Sequence, residues 1–235
     1  MEKQLDCANE GVELNDFIFS KSGVNDVMAR PSARRNIENS IRRLGYNDVA
    51  GTDEVGRGAL AGPVVAAAVV LGQGQVLNGL RDSKLLSARQ RERLYVEITT
   101  FANWATAAVS PTEVDQLNVH VASLLAMRRA LAGLSPQPDF VLVDGFRLPE
   151  LSVPQRAIVG GDRKCTVIAA ASVVAKVTRD RLLMTMHDGE PRYGFDRHKG
   201  YATRNHLSAL KRYGLTNDHR RSFKPVRDID VGRMR

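Results

Sequence analysis

An α/β fold, a sheet with helices packed on it, is the class this 235-residue sequence predicts. Three observations carry it. Short apolar runs of strand length recur, such as "PVVAAAVVLG" and "PDFVLVDG". Longer segments with apolar residues at helical spacing separate them. The resulting order is β-β-α-β-α-β-β-α-α, with no internal repeat and no low-complexity segment.

Residues 1–45 are polar, mixed in charge and weakly periodic, ending in "ARRNIENSIRRLG". They read as an N-terminal extension, helical near its end, before a domain over 46–226 and a tail over 227–235. "NDVAGTDE" and "PVVAAAVVLG" are two strands joined by a glycine loop. "LSARQRERLYVEITTF" (86–101) is a helix with Ser87 as N-cap, and "NWATAAVS" (103–110) is the third strand. "PTEVDQLNVHVASLLAMRRALAGL" (111–134) predicts one long amphipathic helix, opened by Pro-Thr-Glu and stopped near Gly133. "PDFVLVDG" (138–145) is a buried strand that delivers Asp144 at its C-terminal end. "RAIVGGD" (156–162) repeats the design with Asp162 at its end. "CTVIAAASVVAKVTRDRLLMTMH" (165–187) is a small-residue helix suited to close packing on a sheet. "TRNHLSALKRYG" (203–214) is a last short helix, capped by Thr203 and stopped by Gly214. Trp104, Met127 and Met184 are assigned to packing, and His120 to a structural place in its helix.

No apolar run reaches membrane-spanning length, and "MEKQLDCANE" lacks the basic-then-apolar layout of a signal peptide. The two cysteines, Cys7 and Cys165, form no CxxC pair, which fits a reducing cytosol and excludes a cysteine-built zinc site. None of the five histidines falls in an HExxH pattern. A cytoplasmic protein without membrane contact, monomeric by default, is expected. Net charge is +8, and the segment from Phe195 to Arg235 alone holds eleven Lys/Arg against four Asp/Glu. Such a localised basic region is either a polyanion-binding surface or a solvated tail.

The chemistry-bearing residues sit at strand ends. Asp53-Glu54, Asp144 and Asp162 each close a predicted strand, and side-chain alternation lets Asp53 and Glu54 share a site only where the strand bends. A cluster of acids repels itself unless cations neutralise it. Mg²⁺ and Mn²⁺ favour such oxygen donors, and two such ions about 4 Å apart activate water in phosphodiester hydrolysis. The loop "GRGALAG" is not a dinucleotide fingerprint, because Ala61 stands where the last glycine belongs. Nor is it a phosphate-cradling loop, since GK[ST] is missing and a strand follows. Two readings remain: glycines that let backbone approach a ligand, with Arg57 on a phosphate, or a simple hairpin loop.

The motifs "GTDEVGRGALAGPVVAAAVVL", "LRDSKLLS", "VDG", "IAAASVVAKVTRDRLLM", "HKGYATRNHLSAL" and "HRRSFKPV" follow one another in an order that closely resembles the bacterial ribonuclease HII family, the type 2 ribonucleases H, over about residues 46–226. The resemblance implies a ribonuclease H-like fold, a mixed central sheet flanked by helices with a C-terminal helical segment. It implies metal binding and catalysis by Asp53, Glu54, Asp144 and Asp162, with Mn²⁺ or Mg²⁺, two ions when substrate is bound. Gly56, Arg57 and Gly58 would read the 2′-hydroxyl and phosphate of a ribonucleotide, and Tyr201 would pack on the deoxyribose that follows. Ser83, Lys84 and Ser172 would contact substrate phosphates. The implied substrates are RNA–DNA hybrids and duplex DNA containing ribonucleotides, cut 5′ to the ribonucleotide to leave 3′-hydroxyl and 5′-phosphate ends. Two positions depart from the family pattern: Val55 stands where alanine is commoner, and Gly161 where lysine is frequent. A DNA-only hydrolase and a non-catalytic nucleic-acid-binding module are the competing expectations.

Overall fold

Five strands hydrogen-bond in the order β3-β2-β1-β4-β5 in a computed structural model that describes residues 35–75, 77–80, 83 and 86–233. The strands are β1 (Val49–Val55), β2 (Val64–Val70), β3 (Asn103–Val109), β4 (Phe140–Asp144) and β5 (Gln155–Ile158). β1–β2 and β2–β3 pair antiparallel, whereas β1–β4 and β4–β5 pair parallel, so the sheet is mixed. β2 is buried along its whole length, which explains its unbroken apolar sequence.

Helices cover both faces. On one face lies α5 (Thr166–Gly189), with α1 (Asn36–Arg43) and α2 (Ala88–Phe101) beside it. On the other lie α3 (Pro111–Leu117) and α4 (Val119–Ala132). Small residues let α5 sit unusually close to the sheet. A Cβ added at Gly51 of β1 would lie 2.3 Å from the Val167 carbonyl carbon, so only glycine fits there. Helix α1 is tied to the same place, because the Val167 amide donates to buried Glu38 Oε1 at 3.0 Å and Ile41 is buried. Cys165, just before α5, is buried, and burial chiefly pushes its thiol up to about 12.

A third apolar cluster joins Leu60 and Ala61 to Tyr193, Phe195, Leu210 and Val226. It assembles α6 (Phe195–His198), α7 (Arg204–Tyr213) and α8 (Lys224–Arg233) over the β1–β2 loop. Among the described residues no helix is long and apolar enough to cross a membrane.

Several expectations need correction. The single helix over 111–134 is two helices, broken at Asn118, whose φ is +67° and whose Oδ1 accepts the His120 and Val121 amides. Asparagine tolerates that left-handed backbone and caps the new helix, while the amphipathic pattern runs on through the break. β5 ends at Ile158, so Asp162 lies beyond the strand on a short 3₁₀ turn over Gly161–Arg163. Met184 is 41% exposed, because α5 has outrun the sheet there; Met127 is buried as expected. The motif "HRRSFKPV" leads into a helix, α8, with Pro225 in its first turn, where a missing amide costs nothing.

Candidate active site

Parallel pairing of β1 with β4 places Thr52 opposite Val143, and one step further along both strands come Asp53 and Asp144. Both strands run the same way, so both acids emerge at the same edge of the sheet. Glu54 joins them because β1 ends at Val55 and Gly56 turns the chain with φ +92°. Asp53 is buried, and its carboxyl is raised well above the usual carboxylate range. Burial is the chief cause, followed by the negative charges of Glu54 and Asp144. Hydrogen bonds from the Ser172 hydroxyl and the Glu54 amide (2.7 Å) oppose the rise.

The other acids are held by different partners. Glu54 Oε1 accepts from Arg57 Nη1 at 2.9 Å. Asp144 Oδ1 accepts the Gly161 amide at 2.6 Å, and a Cβ at Gly161 would meet Ile168 Cδ1 at 2.5 Å. Glycine there lets the 3₁₀ turn close on Asp144. Asp162 is buried in that turn. Among the described residues no three His, Cys, Asp or Glu side chains already close around a cation. The acids form an open anionic group. Its donors are all carboxylate oxygens, and the mutual repulsion recorded at Asp53 is what a hard divalent cation relieves, so the set fits one.

The expected substrate residues fall into two groups. Ser83 Oγ lies 2.9 Å from Ser172 Oγ, both buried, which extends the hydrogen bonding of Asp53 away from the sheet. Lys84 lies outside the described residues. The second group is the loop over 56–63. Ala59 pairs with Tyr201 and Ala61 with His219 in isolated bridges. The Leu60 amide donates to Gly200 O at 2.8 Å, and the Arg220 amide to Leu60 O at 2.8 Å. A Cβ at Gly58 would lie 4.0 Å from Tyr201 Cε1. Gly56, Arg57, Gly58 and Tyr201 therefore line one continuous surface that begins at Glu54.

Residues with no individual signal in the sequence hold this surface. Arg179 of α5 and Arg220 are fully buried. Three histidines surround the turn over 198–201. Thr216 N–H donates to His219 Nδ1 at 3.0 Å, which leaves the His219 proton on Nε2. That nitrogen lies 3.2 Å from His206 Nε2, and His206 Nδ1 lies 3.0 Å from Tyr201 O. The consistent assignment is a directional relay of two neutral rings ending on the Tyr201 carbonyl. Burial, the chief cause in each, lowers both imidazoles from 6.5 to about 4. The basic segment is thus not one solvated face: Arg220 is internal and Arg221 pairs with Asp230 at 2.9 Å.

A family model described as Ribonuclease HII matches residues 50–226. The chain is 57% identical over 182 residues to "Ribonuclease HII 2" of Methylibium petroleiphilum, spanning 77% of this chain and 84% of that one. It is 50% identical over 206 residues to a Ribonuclease HII of Mycolicibacterium vanbaalenii, spanning 86% and 83%. Among solved structures, the ribonuclease H2 from Pyrococcus horikoshii superposes with a TM-score of 0.67 at 26% identity, over 79% of this chain and 98% of that one.

Proposed function

The chain belongs to the ribonuclease HII family and is an endoribonuclease, and we propose that it hydrolyses the phosphodiester 5′ to a ribonucleotide, leaving 3′-hydroxyl and 5′-phosphate ends. Its substrates in this reading are RNA–DNA hybrids and duplex DNA carrying single ribonucleotides. One observation carries the proposal: the acids at the ends of β1 and β4 emerge side by side, and β1 runs directly into the 56–58 loop, which Ala59 pins to Tyr201. A cutting group and a sugar-reading group are contiguous.

Asp53, Glu54, Asp144 and Asp162 are the residues proposed to hold Mg²⁺ or Mn²⁺, two ions with substrate present. Bound there, the ions supply an activated water and stabilise the leaving 3′-oxygen. Ser172 orients Asp53 through its hydroxyl, and the Gly161 amide fixes one oxygen of Asp144. Arg57, paired with Glu54, lies beside the cutting point and exchanges that carboxylate for a substrate phosphate. The Gly56–Gly58 backbone approaches the ribose closely enough to meet the 2′-hydroxyl, the group that separates RNA from DNA at a given position. Tyr201 packs on the next sugar, Ser83 and Lys84 contact substrate phosphates, and the exposed cations of the C-terminal segment attract the phosphate chain in a salt-dependent way.

The deciding experiment offers a duplex with one ribonucleotide and an all-DNA duplex, with Mg²⁺ or Mn²⁺ in turn. Cutting of the first alone, 5′ to the ribonucleotide, is expected. Equal cutting of both would favour a DNA-only hydrolase, and binding without cutting would favour a non-catalytic module.

A further inference from the structure

Arg179 and Arg220 lie 41 positions apart in sequence and share an unusual condition. Both are fully buried, and both guanidinium groups are satisfied by backbone carbonyls rather than carboxylates. Burial pushes both down, Arg220 to about 10, at which it keeps its charge at neutral pH. Cations desolvated in this way cost stability unless their nitrogens find acceptors. Here each of the three guanidinium nitrogens in both residues has a backbone carbonyl. Arg179 donates to Pro63 O at 3.0 Å, Ala61 O at 3.1 Å and Lys199 O at 2.9 Å. Arg220 donates to Gly62 O through two nitrogens at 3.0 and 2.8 Å, and to Arg57 O at 3.0 Å.

The recipients of Arg179 belong to two separate segments, the loop over 57–63 and the turn before Tyr201, whereas the recipients of Arg220, at Arg57 and Gly62, tie together the two ends of the loop. Arg179 also lies beneath Gly56, where a Cβ would sit 2.2 Å from its Nε. Its guanidinium carbon is 5.6 Å from the Tyr201 ring centroid. Only a planar fork with several fixed donors can reach this set at once; a lysine offers a single point.

We propose that Arg179 and Arg220 are positioning residues, Arg179 welding the 56–63 loop to the Tyr201 turn and Arg220 bracing the loop side of that weld, so that loop and Tyr201 form one rigid reader of two consecutive sugars. Neither touches substrate. Recognition of the ribose and of the sugar after it then rises or falls together, and selectivity for an embedded ribonucleotide depends on both arginines. The assignment of the two sugars rests on the ribonuclease reading above, while the weld itself is a property of the chain.

Two measurements on Arg179→Lys and Arg220→Lys in the full chain test it. The first is amide hydrogen exchange, which needs no activity. Exchange about tenfold faster is expected at Leu60–Gly62 and at 200–203 together, with β1 and β2 unchanged. Loosening of one segment alone, of neither, or of the whole sheet would overturn the weld. The second is kcat/KM at a single embedded ribonucleotide, in a cycle with Tyr201→Ala. Arg179→Lys should cost about tenfold alone and less than about twofold when Tyr201 is already absent. An equal cost in both backgrounds would overturn the shared reader. If the parent protein fails to cut that duplex, the ribonuclease reading falls, and the exchange measurement still decides the weld.

Discussion

On either side of the Gly56–Pro63 loop the chain buries charges of one sign, and it treats the two signs differently. Asp53, Glu54 and Asp144 crowd together so that Asp53 is raised well above its usual range. Arg179 and Arg220 also act on each other, yet every bond they make ends on a carbonyl of the chain. The anionic group keeps a repulsion that only something from outside relieves. The cationic group is complete in itself. On the proposed function, the charges mark a ligand site in one region and a scaffold in the other, and the hydrogen-bond partners differ accordingly.

The comparison is broken most severely on the anionic side. Asp144→Asn should lower cleavage by about 10³-fold or more, the kinetic equivalent of several kcal/mol of metal-derived stabilisation. Substrate binding in a gel-shift assay should largely survive. Next comes the loop between the two regions. Gly56→Ala demands a side chain at φ +92° and places its Cβ against Arg179, so a loss of about 2–4 kcal/mol is expected in a urea titration.

Acid attacks the scaffold. His206 and His219 are neutral when folded but take up protons near 6.5 when unfolded. Their contribution is full above about 6.5 and is lost as pH falls towards about 4, each ring adding up to about 1.4 kcal/mol per pH unit in that window. Melting curves between pH 7 and 4.5 should show it, and His219→Gln should flatten the slope.

The smallest effect has the opposite sign. Asp53→Asn should raise the melting temperature of metal-free protein at neutral pH, each ~1 kcal/mol of relieved repulsion being worth about 2–4 °C. Because the folded carboxyl is raised, its cost is present above that raised value and vanishes as pH falls to the ordinary carboxylate range. The gain should therefore disappear in acid, and added Mg²⁺ should reverse its sign by stabilising the parent.

Much of the sheet was legible in the sequence, since strands buried on both faces read as apolar runs, and Ser87 and Thr203 cap their helices as expected. The placement of Asp53, Glu54 and Asp144 at the ends of β1 and β4 was legible because an apolar run that stops at an acid marks its own end. The break at Asn118 was not, because helical periodicity continues through it and only backbone handedness reveals the turn. Asp162 was placed on a strand that stops four residues earlier. The arginine pair and the His206–His219 relay were invisible for a different reason. A cation in sequence reads as surface, and contacts between distant residues leave no periodic trace.

Helix α5 carries a consequence of its own. Ser172, which bonds Asp53, and Arg179, which holds the loop, are seven residues apart, two turns along one rigid rod and about 10.5 Å by helical rise. With Gly51 keeping that rod pressed on the sheet, α5 works as a gauge block between the cutting point and the sugar reader. Lengthening it by one residue between these positions would rotate one end by about 100° relative to the other. On the proposed assignment of reader and cutting point, the distance between them is thus set by the rise of a single helix.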